Sequence, residues 1–352
     1  MFVATKALTQ ELEWVNRFIC KKATIPILLN VALTPAARSL QLVGTDLECA
    51  GLTAIEAVCE AGERPITVPA RAMLNYLKKI EEKFLWLHAD ENQRLTIRHG
   101  DDGECTICGL PTASFPELPQ IEATGTLSGL SAALPRVLIA ISSDESRFTL
   151  NGALLELNGS GKLVSADGHR LSLCTVTGTG AIKVLLPKKA LSELAHLGED
   201  SVSYGADKDH AVFSSGSGRQ ILCRKLKGEF PDPERVLPKH LEHAASLDPA
   251  QFSKVLARVS LFADSRSRAV RLSVEPGKMT VRAEVCESGS AKGGVQIEGF
   301  SGSEWEAGFN ATYLQDFLTL CDGKAELKFN KANEAAELDA DLWRYIVMPM
   351  RI

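Results

Sequence analysis

The chain lacks long apolar segments and an excess of positive charge. No apolar run in its 352 residues approaches the roughly 18 residues of a membrane span. Residues 1–13 have neither the apolar core nor the cleavage site of a signal peptide, so we expect no export signal. Lys and Arg number 39 against 44 Asp and Glu, which gives a formal net charge of −5. This balance argues against a protein that coats nucleic acid with a uniformly basic surface, but it is compatible with a local basic surface.

The chain also lacks the signatures of a metal site or a catalytic centre. Its nine cysteines are odd in number and scattered, which is typical of reduced thiols in the cytoplasm. Cys105 and Cys108 have CxxC spacing, but no second CxxC or HxxxH motif supplies further zinc ligands. Asp167, His169 and Arg170 could form a catalytic cluster, yet no nucleophile motif accompanies them. We therefore expect no metal, no cofactor and no enzymatic activity.

What the chain has instead is a threefold internal repeat. A segment that begins as a helix starts at Pro69, Pro187 and Asn310, at intervals of 118 and 123 residues. Self-similarity at a fixed period indicates similar structural units in series. A length of 352 residues suits three domains of ordinary size, each with its own core. Polar and turn-forming residues interrupt the pattern near 119–124 and 238–244, which places the domains at 1–121, 122–243 and 244–352.

Each third has the same order of elements: an amphipathic helix, a strand-rich block, a second helix and further strands. The first helix is predicted from apolar residues at helical spacing, which are Leu8, Leu12, Val15 and Ile19 in the first repeat and Phe252, Val255, Leu256 and Val259 in the third. Short turns between the strands indicate antiparallel sheets. The expected fold class is α+β, with two helices packed on antiparallel sheets in each of three tandem domains.

The second repeat departs from this pattern at Pro135. Its first helix is predicted over 130–141, and a proline inside a helix removes a backbone hydrogen bond. Pro135 therefore either begins a shortened helix or kinks a longer one, and both alternatives stay open. The sixth helix, predicted over 310–320, also differs, because it carries Asp316 and no cation.

Positive charges recur on the predicted helices, opposite their apolar faces. They are Arg17, Lys21 and Lys22 at the first helix, Arg71 and Lys78 at the second, Lys188 and Lys189 at the fourth, and Lys254 and Arg258 on the fifth. Arg71, Lys188 and Lys189 fall in first helical turns, where the helix dipole disfavours cations. Helix stability does not explain these positions, whereas attraction to an anion does. Recurrence favours an anion-facing surface, and a solvated helix face remains the alternative for any single pair.

Three sequence motifs carry a resemblance to a known family. They are Ser165–Leu171 (SADGHRL), Phe230–Pro238 (FPDPERVLP) and the terminal Tyr345–Ile352 (YIVMPMRI), supported by Ile25–Leu28, Gly44–Glu48, Val68–Arg71 and Leu150–Gly152. In this order, over the whole chain, the sequence resembles the β sliding clamp of bacterial DNA polymerase III. The resemblance implies a DNA-clamp fold in which two subunits join head to tail as a homodimeric ring. Cations on the inner helices would then meet the phosphates of double-stranded DNA without reading its sequence.

The resemblance also implies an apolar pocket for partner peptides. Carried over residue by residue, the pocket comprises Leu150, Ala166, Gly168, His169, Arg170, Leu171, Pro231, Arg235, Val236, Ile346, Val347, Met348, Pro349, Met350 and Arg351. Its arginines would bond peptide carbonyls or acids at the rim. The partners would be the catalytic subunit of DNA polymerase III, the clamp loader and other clamp-binding proteins. Ala166 stands where the family often has Thr, and Pro233 and Glu234 stand where it is often more basic or aromatic, so peptide preference can differ.

The subunit interface implied by the resemblance joins the first domain of one copy to the third domain of another. It would use Cys105 and Ile107 of the strand 105–110 together with Leu261 and Phe262 after the fifth helix. Without the resemblance, ordinary core is an equal alternative for Leu261 and Phe262. Cys105 departs from the larger apolar residue common in the family, which suggests a looser interface.

The sequence as a whole predicts a cytoplasmic, non-enzymatic DNA sliding clamp, that is, a processivity factor. One alternative is an accessory clamp paralogue that serves specialised polymerases. The other is an enzyme that acts on a phosphorylated substrate through Asp167, His169 and Arg170.

Overall fold

The computed structural model describes residues 1–60, 62–239, 241–285, 289–300, 302 and 304–351. Ile352, the last residue of the terminal motif, lies outside the described residues. Packing divides the chain into two compact units, one formed by Met1–Leu127 with Ser201–Lys225 and the other by Ser128–Asp200 with Leu226–Ile352. None of the described helices is long and apolar enough to cross a membrane.

Helices and antiparallel strands alternate in the order that the sequence predicts. The α-helices of the described ranges are α1 Thr5–Val15, α2 Ala70–Leu77, α3 Leu130–Leu138, α4 Lys188–Leu197, α5 Pro249–Val259 and α6 Ala311–Leu320. The strands are β1 Phe2–Ala4, β2 Asn30–Ala36, β3 Ser39–Thr45, β4 Cys49–Val58, β5 Ile66–Pro69, β6 Phe84–Ala89, β7 Arg94–His99, β8 Gly103–Cys108, β9 Gly125–Ser128, β10 Gly152–Asn158, β11 Ser160–Ala166, β12 Arg170–Thr179, β13 Ala181–Pro187, β14 Ser201–Ala206, β15 His210–Ser214, β16 Gln220–Arg224, β17 His243–Leu247, β18 Ala269–Glu275, β19 Lys278–Val285, β20 Gly289–Glu298, β21 Trp305–Asn310, β22 Ala325–Phe329, β23 Ala336–Ala340 and β24 Trp343–Val347.

The first unit contains two antiparallel sheets that share the long strand β4. One sheet has the order β4–β1–β6–β7–β8, and the other has the order β5–β2–β3–β4–β16–β15–β14. Helix α1 packs on β3 and β4 and leaves none of the surface of Leu8, Leu12 or Val15 exposed. Burial of this apolar stripe supplies most of the stability of such a helix, since short isolated helices are marginal in water.

The second unit contains an eight-stranded antiparallel sheet of order β13–β10–β11–β12–β24–β23–β22–β17. A second sheet has the order β21–β18–β19–β20. Helix α3 packs against α4, and α5 packs against α6. Within the large sheet the fully buried Trp343 of β24 donates its indole N–H to Ser172 of β12 at 2.8 Å. This mixture of helices and antiparallel sheets confirms the α+β fold class.

The helix starts that define the repeat lie where the sequence predicts them. Helices α2, α4 and α6 follow the N-cap residues Pro69, Pro187 and Asn310. Asn310 accepts a hydrogen bond from the backbone N–H of Thr312 at 2.8 Å, as an N-cap side chain should. At Pro135 the structure selects the longer helix, because α3 begins at Leu130 and runs through the proline.

The end of α1 differs from the prediction. The helix stops at Val15, and residues 16–19 continue as tight turns rather than as α-helix. Phe18 and Ile19 are nevertheless buried, since they reach down onto strands β4 and β3 at Gly51 and Gly44, where any Cβ would collide with them. The apolar spacing therefore continues past the end of the helix. The prediction that Arg17, Lys21 and Lys22 lie on the first helix is wrong.

Candidate functional site

The site in the second unit begins with a tight turn between β11 and β12. The carboxylate of Asp167 accepts hydrogen bonds from the backbone N–H groups of His169 and Arg170, at 2.9 and 3.0 Å. Gly168 has φ +92°, a conformation that glycine adopts without strain. Arg147 donates to the carbonyl of Asp167 at 3.0 Å and closes the turn from outside. Asp167 thus shapes the loop. Its carboxylate, which the catalytic hypothesis needed for chemistry, is used to hold the turn.

Arg170 is held by groups of its own chain. Its guanidinium donates to Asp167 at 2.9 Å, to Asp316 of α6 at 2.6 Å and to the hydroxyl of Tyr345 at 3.1 Å. It also lies 4.3 Å above the ring of Tyr313, and its side chain is 11% exposed. Burial raises the pKa of Tyr345, so this hydroxyl stays neutral and can donate onward to the carbonyl of Tyr313. Arg170 is thus engaged by groups of its own chain and holds the turn against α6 and β24, and its contact with a peptide stays a prediction.

An apolar cavity of about 290 Å³ opens beside this turn. Its floor includes Leu171 of β12 and Ile346 of β24, which face each other in the sheet and are almost completely buried. Val236 and Met348 stand at its rim and are 46% and 42% exposed, high values for apolar side chains. The lining consists of Leu150, Ala166, Gly168, His169, Arg170, Leu171, Phe230, Pro231, Pro233, Val236, Ile346 and Met348. Such a cavity suits apolar side chains of an extended peptide.

The predicted cations fall into two kinds of environment. Lys254 and Arg258 lie exposed, one turn apart on α5, opposite its buried face. Arg71 and Lys188 lie exposed in the first turns of α2 and α4, and Lys189 is half-buried beside Lys188. Arg17, Lys21 and Lys22 are exposed but follow the end of α1 instead of lying on it. Lys78 follows α2 and pairs with Glu13 at 2.5 Å, which neutralises part of its charge.

The residues predicted at the subunit interface include one pronounced exposed apolar side chain. Leu261 is 79% exposed and Phe262 is 36% exposed, in a short 3-10 helix that continues α5. Strand β8 pairs with β7 alone among the named strands of the described residues, so one of its edges is unpaired. Ile107 of β8 is 9% exposed and packs within its own unit, whereas Cys105 is half-buried. The unpaired edge and Leu261 are the features that another copy could cover.

The CxxC pair has the geometry of an ordinary strand. Cys105 and Cys108 lie three positions apart on β8, so their side chains point to opposite faces of the sheet. Burial raises the pKa of the Cys105 thiol, which disfavours the reactive thiolate. Among the residues that the structure describes, no group of three or more His, Cys, Asp or Glu side chains could hold a metal ion.

The sequence matches models of one known protein family along most of its length. Models of the N-terminal, central and C-terminal domains of the DNA polymerase III beta subunit match residues 1–119, 127–232 and 234–351 in that order. The chain belongs to the DNA polymerase III beta subunit family. The family consists of processivity factors rather than catalysts.

Relatives of this beta subunit match it from end to end. The beta sliding clamps of Pseudomonas aeruginosa and Escherichia coli K12 are 31% and 29% identical to it, each over 99% of both chains. The crystal structure of the DNA polymerase sliding clamp from Pseudomonas aeruginosa has a TM-score of 0.92 at 28% identity and covers 100% of this chain and 99% of that chain. The sliding clamp from Bacillus subtilis, with a TM-score of 0.93 at 21% identity over 100% of this chain and 98% of that chain, shows the fold alone.

The beta-subunit pocket gathers ten of the fifteen residues predicted for it. The other five lie elsewhere: Arg235 is 86% exposed and lines a neighbouring groove, Val347 is buried on the opposite side of β24, Met350 bridges to Gly308, and Pro349 and Arg351 follow outside the cavity. Peptide binding by any of the fifteen residues stays a prediction. Sequence reasoning missed Phe230 and Pro233, although both stand in the motif 230–238, where an aromatic residue flanked by prolines was the available signal.

Replacing Asp316 with Asn is expected to destabilise the pocket of this beta subunit. The amide removes a charged acceptor from the poorly exposed Arg170, a loss of about 1–3 kcal/mol. Hydrogen exchange should then accelerate in peptides that cover 166–172 and 311–320. Glu298→Gln is the matched control, because it removes a carboxylate that is 79% exposed and pairs with Lys324 at 3.5 Å. Equal exchange in the two variants would contradict the positioning role of Arg170.

Proposed function

We propose that this chain is the subunit of a DNA sliding clamp, in which two copies close head to tail into a ring around duplex DNA. The ring would tether the catalytic subunit of DNA polymerase III, the clamp loader and other clamp-binding proteins. The observation that carries the proposal is the apolar cavity bounded by Leu171, Ile346, Val236 and Met348, in a chain matched by sliding clamps over its full length. The domain limits proposed for it are 1–121, 122–243 and 244–352.

Weak contacts with DNA suffice for such a ring, because topology prevents escape. Exposed cations on α2, α4 and α5 support a surface that meets phosphates without base contacts. The formal charge of −5 supports repulsion of DNA from the remaining surface. We propose Arg71, Lys188, Lys189, Lys254 and Arg258 as the helix-borne DNA contacts, and Arg17, Lys21, Lys22 and Lys78 as contacts from segments that follow helices.

Replacing Lys254 and Arg258 with Ala is expected to weaken duplex binding and its dependence on salt. For every phosphate that the protein no longer neutralises, the slope of log affinity against log salt should become shallower by about 0.9. Fluorescence anisotropy with a labelled duplex over a salt series measures this slope. The control replaces Lys324 and Lys331, which are 80% and 81% exposed, and removes the same charge. If both double variants change the slope alike, α5 does not face DNA.

The peptide pocket would recognise a short apolar motif shared by several partners. Met348 suits this task because its flexible, polarizable side chain adapts to different occupants. Ala166 lines the cavity with a methyl group where the family often has a hydroxyl. This substitution favours the second candidate, an accessory clamp for specialised polymerases, and partner capture by wild type and Ala166→Thr distinguishes the two. Recovery of the replicative polymerase by the wild type would reject the accessory role.

We also propose that the protein works in the cytoplasm and catalyses no reaction. Asp167 is engaged by two backbone N–H groups and by Arg170, which supports a structural role for the cluster that could otherwise serve catalysis. Phosphatase or phosphotransfer turnover that disappears in His169→Ala, while peptide binding persists, would establish the enzymatic alternative instead.

A further inference from the structure

A second and larger cavity, of about 930 Å³, adjoins the apolar pocket in the same unit. The segment 228–236 separates the two, and its residues Phe230, Pro231, Pro233 and Val236 line both cavities. A peptide that continues from the apolar pocket over this segment would therefore reach the second cavity. An extended peptide advances about 3.3 Å per residue, so a few residues make this passage.

The floor of the second cavity is charged where the floor of the first is apolar. Glu156 of β10 stands between Lys162 of β11 and Lys183 of β13, which are its cross-strand neighbours. Its carboxylate lies 3.5 Å from the ammonium of Lys162 and 3.8 Å from that of Lys183. Lys183 is 69% exposed, whereas Glu156 and Lys162 are each 30% exposed. Two cations thus share one anion, which leaves a positive balance on the floor.

The wall of the cavity holds one paired acid, Asp232, and one extended cation, Arg235. Asp232 accepts from the backbone N–H of Glu234 at 3.1 Å and lies 3.7 Å from Arg235. Arg235 is 86% exposed and lines this cavity, not the apolar pocket. An ammonium has three N–H donors and a guanidinium has five, so these cations keep donors beyond their present partners. Glu229 is an exposed acid of the lining, and it sets a limit on the attraction.

We propose that this cavity binds acidic residues that flank the apolar motif of the partner peptide. The inference rests on the proposed function, since it takes the apolar pocket as the anchor of the peptide. Lys162, Lys183 and Arg235 would bind the flanking carboxylates, while Phe230 and the prolines guide the chain between the two cavities. The second cavity would then change the relative affinities of different partners, because peptides with the same apolar motif can differ in the charged residues beside it.

The test uses synthetic peptides with one five-residue apolar motif of leucine and phenylalanine. Flanks of three Asp, three Ser or three Lys are placed at either end, and binding to the full-length protein is measured by fluorescence anisotropy at low ionic strength. We expect the Asp flank, at one of the two ends, to strengthen binding about 3- to 10-fold over the Ser flank. The gain should fall below about twofold in K162Q/K183Q and should shrink as salt rises.

Lys324→Gln with Lys331→Gln is the matched control and should keep the full gain, because both side chains lie exposed outside the cavity lining. The single variant Lys183→Gln keeps the pairing of Lys162 with Glu156 and should lose part of the gain. If the Asp flank gives no gain in affinity at either end, or if the Lys-flanked peptide binds more tightly than the Asp-flanked one, the inference about the second cavity is wrong and the proposed peptide pocket still stands. Failure of the Ser-flanked peptide to bind the wild type rejects the peptide pocket, and the inference with it.

Discussion

Replacing Leu261 with Asp is expected to convert the protein from a dimer into a monomer. Leu261 is 79% exposed in the isolated chain, so the substitution leaves the core intact. In a head-to-tail dimer the same position would bury the new carboxylate without a partner, which costs several kcal/mol. The dissociation constant should rise at least about 100-fold. Light scattering at micromolar concentration should report twice 38.0 kDa for the wild type and 38.0 kDa for the variant.

Leu342→Asp provides the matched control for this prediction. Leu342 is 55% exposed, lies in the turn between β23 and β24, and is not one of the proposed interface residues. The Leu342→Asp variant should remain a dimer, since the new carboxylate stays in water. A wild type that is monomeric at this concentration, or a Leu261→Asp variant that remains dimeric, would remove these residues from the interface.

Replacing Val236 with Asp is expected to abolish binding of the apolar peptide. Val236 stands 46% exposed at the rim of the cavity, so the folded chain tolerates the change. An unpaired carboxylate against the apolar residues of a bound peptide should lower affinity at least about 100-fold, because it must be desolvated there. Anisotropy with the Ser-flanked leucine and phenylalanine peptide measures the loss.

Val58→Asp is the control for the pocket, because Val58 is 63% exposed on β4 of the first unit. It should bind the peptide as the wild type does. A single substitution in the pocket is easier to interpret than removal of residues 348–352. Met350 also forms a backbone bridge with Gly308 of β21, so the deletion would remove a structural contact as well. Unchanged peptide affinity in Val236→Asp would reject the pocket assignment.

The internal repeat predicted the beginnings of α2, α4 and α6, and the short turns between strands predicted the antiparallel sheets of the α+β fold. Asn310 and Asp248 cap their helices with side-chain hydrogen bonds, an effect that acts within two residues and is visible in sequence. The end of α1 was not predictable in the same way. Phe18 and Ile19 continue the apolar spacing because they pack on distant strands, and only the folded structure brings those strands beneath them.

The pocket was predictable only through the resemblance. The ion pairs that hold Arg170 beside it could not be predicted from the sequence. The loop around Asp167 and the terminal strand are far apart in sequence, and periodicity does not indicate that β12 pairs with β24. Arg170 looked available for a partner because Asp316 and Tyr345 lie 146 and 175 residues away along the chain. The same network explains why α6 carries an acid, since Asp316 binds Arg170.

The central claim is that two copies encircle DNA, and retention on circular DNA tests it most directly. The protein is diluted to separate subunits, concentrated again with a nicked circular plasmid, and washed at high salt, where simple binding to phosphates does not persist. We predict that the wild type stays on the circle and is released when a restriction enzyme linearises it, whereas Leu261→Asp is never retained. Wild-type protein that washes off the circle as readily as Leu261→Asp does, or that stays on the linear product, would contradict the account.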